Sequence, residues 1–245
     1  MVEIIQGDCL KSLRNLAPKS VNTCVTSPPY FGLRDYGDEG QLGLEETPEE
    51  FVENLVKVFK EVKRVLRDDG TVWLNLGDSY YNYRPGKGQS LPKQSVSKTK
   101  QDLPDKCARR GNKLDGLKEK DLIGIPWRVA FALQQDGWYL RQDIIWHKPN
   151  PMPESVRDRC TKSHEYIFLL SKSKKYYYDN EAIKEPCTES TKKRMKSGWS
   201  GNEYHGYAGG RQNNLSKYIG TKKSQDNALK GRNKRSVWTV TTKPF

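Results

Sequence analysis

Strand-forming and helix-forming patterns alternate three times in the first 76 residues, which confines the chain to the α/β architectures. Val2-Glu3-Ile4-Ile5 reads as a short strand, Gln6-Gly7-Asp8 as a polar turn, and Leu10, Leu13 and Leu16 recur at near-helical spacing. Val21 to Thr26 is a second β-rich run, stopped by Ser27-Pro28-Pro29-Tyr30 because proline cannot continue a central ladder. Thr47-Pro48-Glu49-Glu50 supplies an N-cap, a proline in the first turn and two acids at a helix's positive end. The helix it starts is predicted to run through Phe51, Leu55, Val58, Phe59, Val62 and Leu66 and to stop near Asp68-Asp69-Gly70. Thr71 to Leu76 then reads as a buried strand. The alternation predicts a parallel sheet with ligands bound at its carboxyl edge.

Beyond residue 83 the character of the chain changes. Residues 84–116 are basic, polar and without apolar period, and are expected to form a long mobile loop. Order returns at Leu122-Ile123-Gly124-Ile125-Pro126, with a helix marked by Trp127, Ala130, Phe131 and Leu133 and ending near Gly137. Two β-rich runs follow, Tyr139 to His147 and Glu165 to Leu170, before the pattern fades after Tyr176-Tyr177-Tyr178-Asp179. The expected division is a catalytic region over 1–180 and a basic region over 181–245.

Charge follows the same division. The 43 Lys and Arg exceed the 30 Asp and Glu by 13, yet residues 1–83 are net −5, whereas 84–180 and 181–245 each carry +9. So one-sided a distribution points to a polyanion, most simply double-stranded DNA. No apolar run approaches the roughly 18 residues that span a bilayer, and the N-terminus resembles no signal sequence, so a soluble cytoplasmic protein without a membrane partner is expected. The five cysteines and three histidines are scattered without ligand spacing, and no metal site is expected.

Ser27-Pro28-Pro29-Tyr30 is the most specific string in the chain. As a local feature it is either a simple chain break or a receptor. Two prolines fix φ and remove two donors, leaving rigidly aimed carbonyls beside a small hydroxyl and an aromatic face. Such a turn suits a planar group bearing N–H donors. On a nucleobase amine, Tyr30 would stack on the ring while the Ser27 hydroxyl and Pro28 carbonyl accept the amine hydrogens.

Thr26-Ser27-Pro28-Pro29-Tyr30 resembles the catalytic motif of the S-adenosylmethionine-dependent DNA amino-methyltransferases, which methylate cytosine N4 or adenine N6. Gln6-Gly7-Asp8 resembles that family's cofactor-adenine segment, implying that Asp8 binds S-adenosylmethionine. Asp143 to Ser155, followed by His164 to Leu170, is similar to the late segment that closes the target-base pocket. The resemblance implies a Rossmann-like methyltransferase sheet, a base flipped out of the duplex, and direct attack of its amine on the sulfonium methyl. It implies Ser27, Pro28, Pro29 and Tyr30 as the catalytic motif. Lys148, Asn150, Arg157 and Arg159 are candidate DNA contacts, and the resemblance implies that the basic region over 181–245 is the DNA target-recognition region. A serine before Pro-Pro-Tyr favours cytosine N4 over adenine N6 within the family.

The family's glycine-rich segment, of Asp-Pro-Phe-x-Gly-x-Gly type, has no match here, and Gly206-Tyr207-Ala208-Gly209-Gly210 lacks the preceding strand. The sheet is therefore expected to be incomplete, and the chain alone to bind cofactor poorly and be inactive. A second polypeptide or a further segment would complete the site, as in a truncated or split bacterial or phage enzyme. A DNA-binding module without catalysis is the alternative from another class, and an RNA-binding protein a weaker one.

Overall fold

The computed structural model describes residues 2–38, 40–81, 114, 116–196 and 230–242. The loop expected over 84–116 and the glycine cluster at 206–210 lie outside the described residues, apart from Leu114 and Gly116. Nine elements follow in chain order: α1 (Cys9–Arg14), β1 (Val21–Thr26), α2 (Pro48–Val65), β2 (Leu66–Leu76), α3 (Ile125–Gln135), β3 (Tyr139–His147), β4 (His164–Ser171), α4 (Glu189–Lys196) and β5 (Val237–Thr239).

The strands form one sheet in the order β1-β2-β4-β3-β5. β1 pairs in parallel with β2, β4 lies antiparallel between β2 and β3, and β5 runs parallel to β3. Four strands thus share a direction and β4 alone is reversed, so the sheet is mixed where the alternation predicted a parallel one. The reversal arises because β4 follows β3 without a crossover helix and pairs directly back on it.

Helix α2 forms as its start signal dictates, with the Thr47 hydroxyl accepting from the Glu50 N–H at 3.1 Å. Phe51, Leu55, Phe59 and Val62, a stripe of i, i+4 and i+3 steps, are fully or almost fully buried. They pack with Val129, Ala130 and Leu133 of α3 onto Val72, Leu74, Leu76, Phe168 and Leu170 of the sheet. Trp127 meets the rings of Tyr166 and Phe168 edge-on at 5.5 and 5.1 Å. Across the sheet, Trp73 of β2 meets Trp238 of β5 at 5.9 Å.

The start of α3 is capped from a distance. Gly124 at the N-cap has φ 79° and no side chain to offer. Asp78, just beyond β2, accepts from the Gly124 and Ile125 N–H groups at 3.0 and 3.1 Å. The end of β2 and the start of α3 are thereby joined at the sheet's carboxyl edge.

The strand expected at Val2–Ile5 does not form. Val2 and Ile4 are about 90% exposed, and β1, the edge of the sheet on that side, has no neighbour but β2. An extended apolar run needs a ladder to satisfy its backbone, and no described strand offers one. Leu114, read as part of a solvated loop, is instead 7% exposed, with its N–H donating to the Tyr81 hydroxyl.

The chain divides into two compact units, residues 1–177 with 236–245, and residues 178–235. The boundary expected after residue 180 falls at Tyr177, and Ser236 to Phe245 belongs with the first unit, because Val237, Trp238 and Thr239 pair with β3. In the second unit, Glu185 and Arg232 bridge through their backbones and through their side chains at 3.1 Å.

Candidate active site

β1 ends at Thr26, which is level with Leu74 of β2, so the next residue, Ser27, emerges beside Asn75. Asn75 belongs to an apolar strand whose neighbours Leu74 and Leu76 point into the core, and alternation turns its amide to the other face. Its Nδ2 donates to the Tyr166 carbonyl at 3.1 Å, which leaves Oδ1 as a pure acceptor. Ser27 Oγ lies 3.2 Å from that oxygen, and Tyr30 Oη 2.8 Å. Tyr30 Oη is also 3.2 Å from Ser27 Oγ and 3.0 Å from Glu165 Oε2. The Glu165 carboxylate is paired through Oε1 with Lys148, whose ammonium stands 4.4 Å from the centre of the Trp146 ring.

These contacts number four, and the two hydroxyls supply only two hydrogens. The cluster is rich in acceptors and short of donors. Ser27 is exposed, and among the described residues the Pro28 carbonyl accepts no hydrogen bond. Burial, augmented by the Glu165 charge and opposed by the Ser27 hydrogen bond, pushes the Tyr30 hydroxyl well above the ordinary tyrosine range.

Two glycines set the position of the tyrosine. A Cβ on Gly77 would fall 2.5 Å from Tyr30 Cε2, so the ring lies directly on that backbone. Gly43, at φ 98°, leaves no room for a Cβ against the Tyr30 carbonyl, 2.9 Å away, and its own carbonyl accepts from Gly32.

The remaining residues singled out from the sequence lie apart from this cluster. Asp8 caps α1, its Oδ1 accepting from the Lys11 N–H at 2.9 Å while the other oxygen has no partner among the described residues. Asn150 donates to the Thr242 carbonyl at 2.9 Å. Arg159 pairs with Glu154 at 2.7 Å and stacks 3.9 Å over Tyr80, holding the Glu154 carboxyl below its usual range. Arg157 is exposed and without a polar partner among the described residues. Sequence reasoning did not single out Asn75, for which an asparagine inside Leu74-Asn75-Leu76 is the one local signal, and it held Glu165 only within His164 to Leu170, the segment that resembles the closure of a base pocket, without naming it. Among the described residues no metal-binding group of His, Cys, Asp or Glu occurs, and no helix is long and apolar enough to cross a membrane.

Residues 21–243 match the DNA methylase family of N6 and N4 amino-methyltransferases. The chain is 51% identical to the Type II methyltransferase M.SmaI of Serratia marcescens over 81% of its own length and 66% of that protein's. It is 46% identical to the Type II methyltransferase M.Cfr9I of Citrobacter freundii over 99% of its length and 65% of that protein's. Among solved structures, a PvuII DNA methyltransferase (cytosine-N4-specific) superposes with a TM-score of 0.48 at 18% identity, over 72% of this chain and 51% of that one. The chain belongs to the N6/N4 DNA methylase family. It spans just under two thirds of the length of these two relatives.

Proposed function

We propose that the chain carries the base-binding half of a DNA methyltransferase that moves a methyl group from S-adenosylmethionine to the exocyclic N4 amine of a flipped cytosine. The donor-poor cluster at the carboxyl end of β1 carries this reading: four close contacts share two hydrogens, with a free Pro28 carbonyl beside them. A primary amine on an aromatic ring brings two N–H donors. Ser27 Oγ and the Pro28 carbonyl accept them, and the turn of the amine that results frees its lone pair from the ring for attack. Tyr30, backed by Gly77, offers its ring for stacking, a contact worth about 1–3 kcal/mol per base. Orientation of this kind requires no general base.

S-adenosylmethionine supplies the electrophilic methyl when bound. The residues present fit its adenosyl end: the uncommitted Asp8 oxygen would accept from the adenine amine, and exposed Ile4 and Ile5 are apolar surface of the kind that covers a purine. The basic segments outside residues 1–83 would contact phosphates, with Arg157 the exposed candidate in the described part.

The test is transfer of labelled methyl to unmethylated DNA, by the chain alone and together with any polypeptide encoded beside it, with the product nucleoside identified by mass spectrometry. N4-methylcytosine is expected, and Ser27→Ala should abolish most of the transfer while DNA affinity holds. N6-methyladenine would overturn the choice of base. No transfer in any combination, with DNA binding intact, would leave a binding module.

A further inference from the structure

The loop that follows the Pro-Pro turn is braced more firmly than a connection requires. The Leu33 N–H donates to the Tyr30 carbonyl at 3.3 Å and the Gly32 N–H to the Gly43 carbonyl at 2.6 Å, while Gly43 packs on that same Tyr30 carbonyl. Both ends of residues 32–43 therefore close on Tyr30. Gln41 spans the loop between them, its Oε1 accepting from the Tyr36 N–H at 2.7 Å and its Nε2 donating to the Arg34 carbonyl at 3.0 Å. Gly37, at φ 80°, donates its N–H to Asp35 Oδ1 at 2.8 Å and turns the chain directly after Tyr36. The backbone that carries Tyr36 is thus fixed from both sides.

The side chain held there contributes nothing visible to the fold. Tyr36 is 57% exposed, and among the described residues its hydroxyl makes no hydrogen bond and its ring meets no other ring. It is nonetheless a neighbour of the acceptor cluster, close enough for its charge to oppose ionisation of Tyr30. Aromatic pairs in contact have centroids about 4.5–7 Å apart, and Tyr30 and Tyr36 form no such pair, so the two rings are near without touching. A third ring between them would engage both. The charges of the loop argue against a phosphate in that place, because Arg34 is outnumbered by Asp35, Asp38 and Glu39. A nucleobase offers a π-face and asks for no net charge.

We propose that Tyr36 is a second stacking face for the flipped base, which it holds from the side opposite Tyr30. The Gln41 brace then has a purpose: an aromatic wall fixed before the base arrives loses little freedom when the base binds. The inference rests on the capture of a base by the Ser27 to Tyr30 turn, as argued above.

The test measures dissociation constants of the full chain for two duplexes of the sequence at which methyl is transferred. One carries the target base mispaired, so that flipping costs little, and the other an abasic sugar in its place. The wild type should prefer the first. Tyr36→Ala should weaken binding to the mispaired duplex by roughly fivefold to a hundredfold, the range for one base stacked on an aromatic, and to the abasic duplex by no more than about twofold. Tyr36→Phe keeps the face and should bind as the wild type does. The urea midpoint of Tyr36→Ala should match the wild type, a readout that a structural role would move. Equal loss on both duplexes, no loss on the mispaired one, or a midpoint shift that accounts for the loss overturns the assignment. A wild type that binds the two duplexes alike overturns base capture itself, and the proposed function with it.

Discussion

At the scale of single residues, Gly77 is where position and chemistry separate most cleanly. Its backbone is the floor on which the Tyr30 ring lies, and an added methyl would meet Cε2 at 2.5 Å. Gly77→Ala should therefore displace the ring at a cost of about 1–3 kcal/mol, the usual range for overpacking. Urea denaturation would read that cost, and a methyl-transfer loss larger than the stability loss implies is the expected outcome; an unchanged midpoint would show that the ring yields freely. His164 offers a pH readout nearby. It packs edge-on against Tyr166 at 5.4 Å, and burial, with the charges of Lys162 and His147 adding to it, lowers its pKa below the usual 6.5. The unfolded chain then binds the proton more readily than the folded one, so stability is full above pH 6.5 and falls as pH drops toward the folded pKa. Melting temperatures measured from pH 7 to 5 should decline, and His164→Gln should flatten the decline.

At the scale of elements, the cap on α3 is the most exposed dependency. Asp78 accepts both Gly124 and Ile125 N–H groups, so Asp78→Ala strips the helix start of its only side-chain cap among the described residues. A loss of about 0.5–2 kcal/mol is expected in denaturant titrations, with Asp78→Asn keeping part of it, and no difference between the two would argue against capping. This cap also marks what a linear reading misses. Helix α2 was legible from Thr47 and the Phe51–Val62 stripe, and β3 from Tyr139 to His147, because period and caps are local properties. Val2–Ile5 reads equally well as a strand, yet pairing is not a property of the segment that pairs. The Ser27 to Tyr30 turn was visible for the same local reason as α2. Glu165 lay within the segment that resembles the closure of the base pocket, but its contact with Tyr30 was not legible, since it joins residues 135 positions apart. Lys148 and Arg159 looked like free cations, and only the fold reveals the carboxylates that hold them.

At the scale of the whole molecule, β1 leaves one edge of the sheet unpaired among the described residues, with its Val25 76% exposed. An open apolar edge favours pairing with another strand. Concentration-dependent association is the expected consequence, and Val25→Lys should reduce it in sedimentation velocity runs. Identical association by the variant would remove the edge from suspicion.

The route of the chain between β4 and β5 has an evolutionary consequence. The first unit gives up the chain at Tyr177 and takes it back at Ser236, where Ile145 pairs with Val237, so everything between is an insertion whose two ends are held by one sheet. Closing such an excursion depends only logarithmically on its length, and doubling it costs about 0.6 kcal/mol. Descendants can lengthen, shorten or exchange that segment without rebuilding the framework around Tyr30.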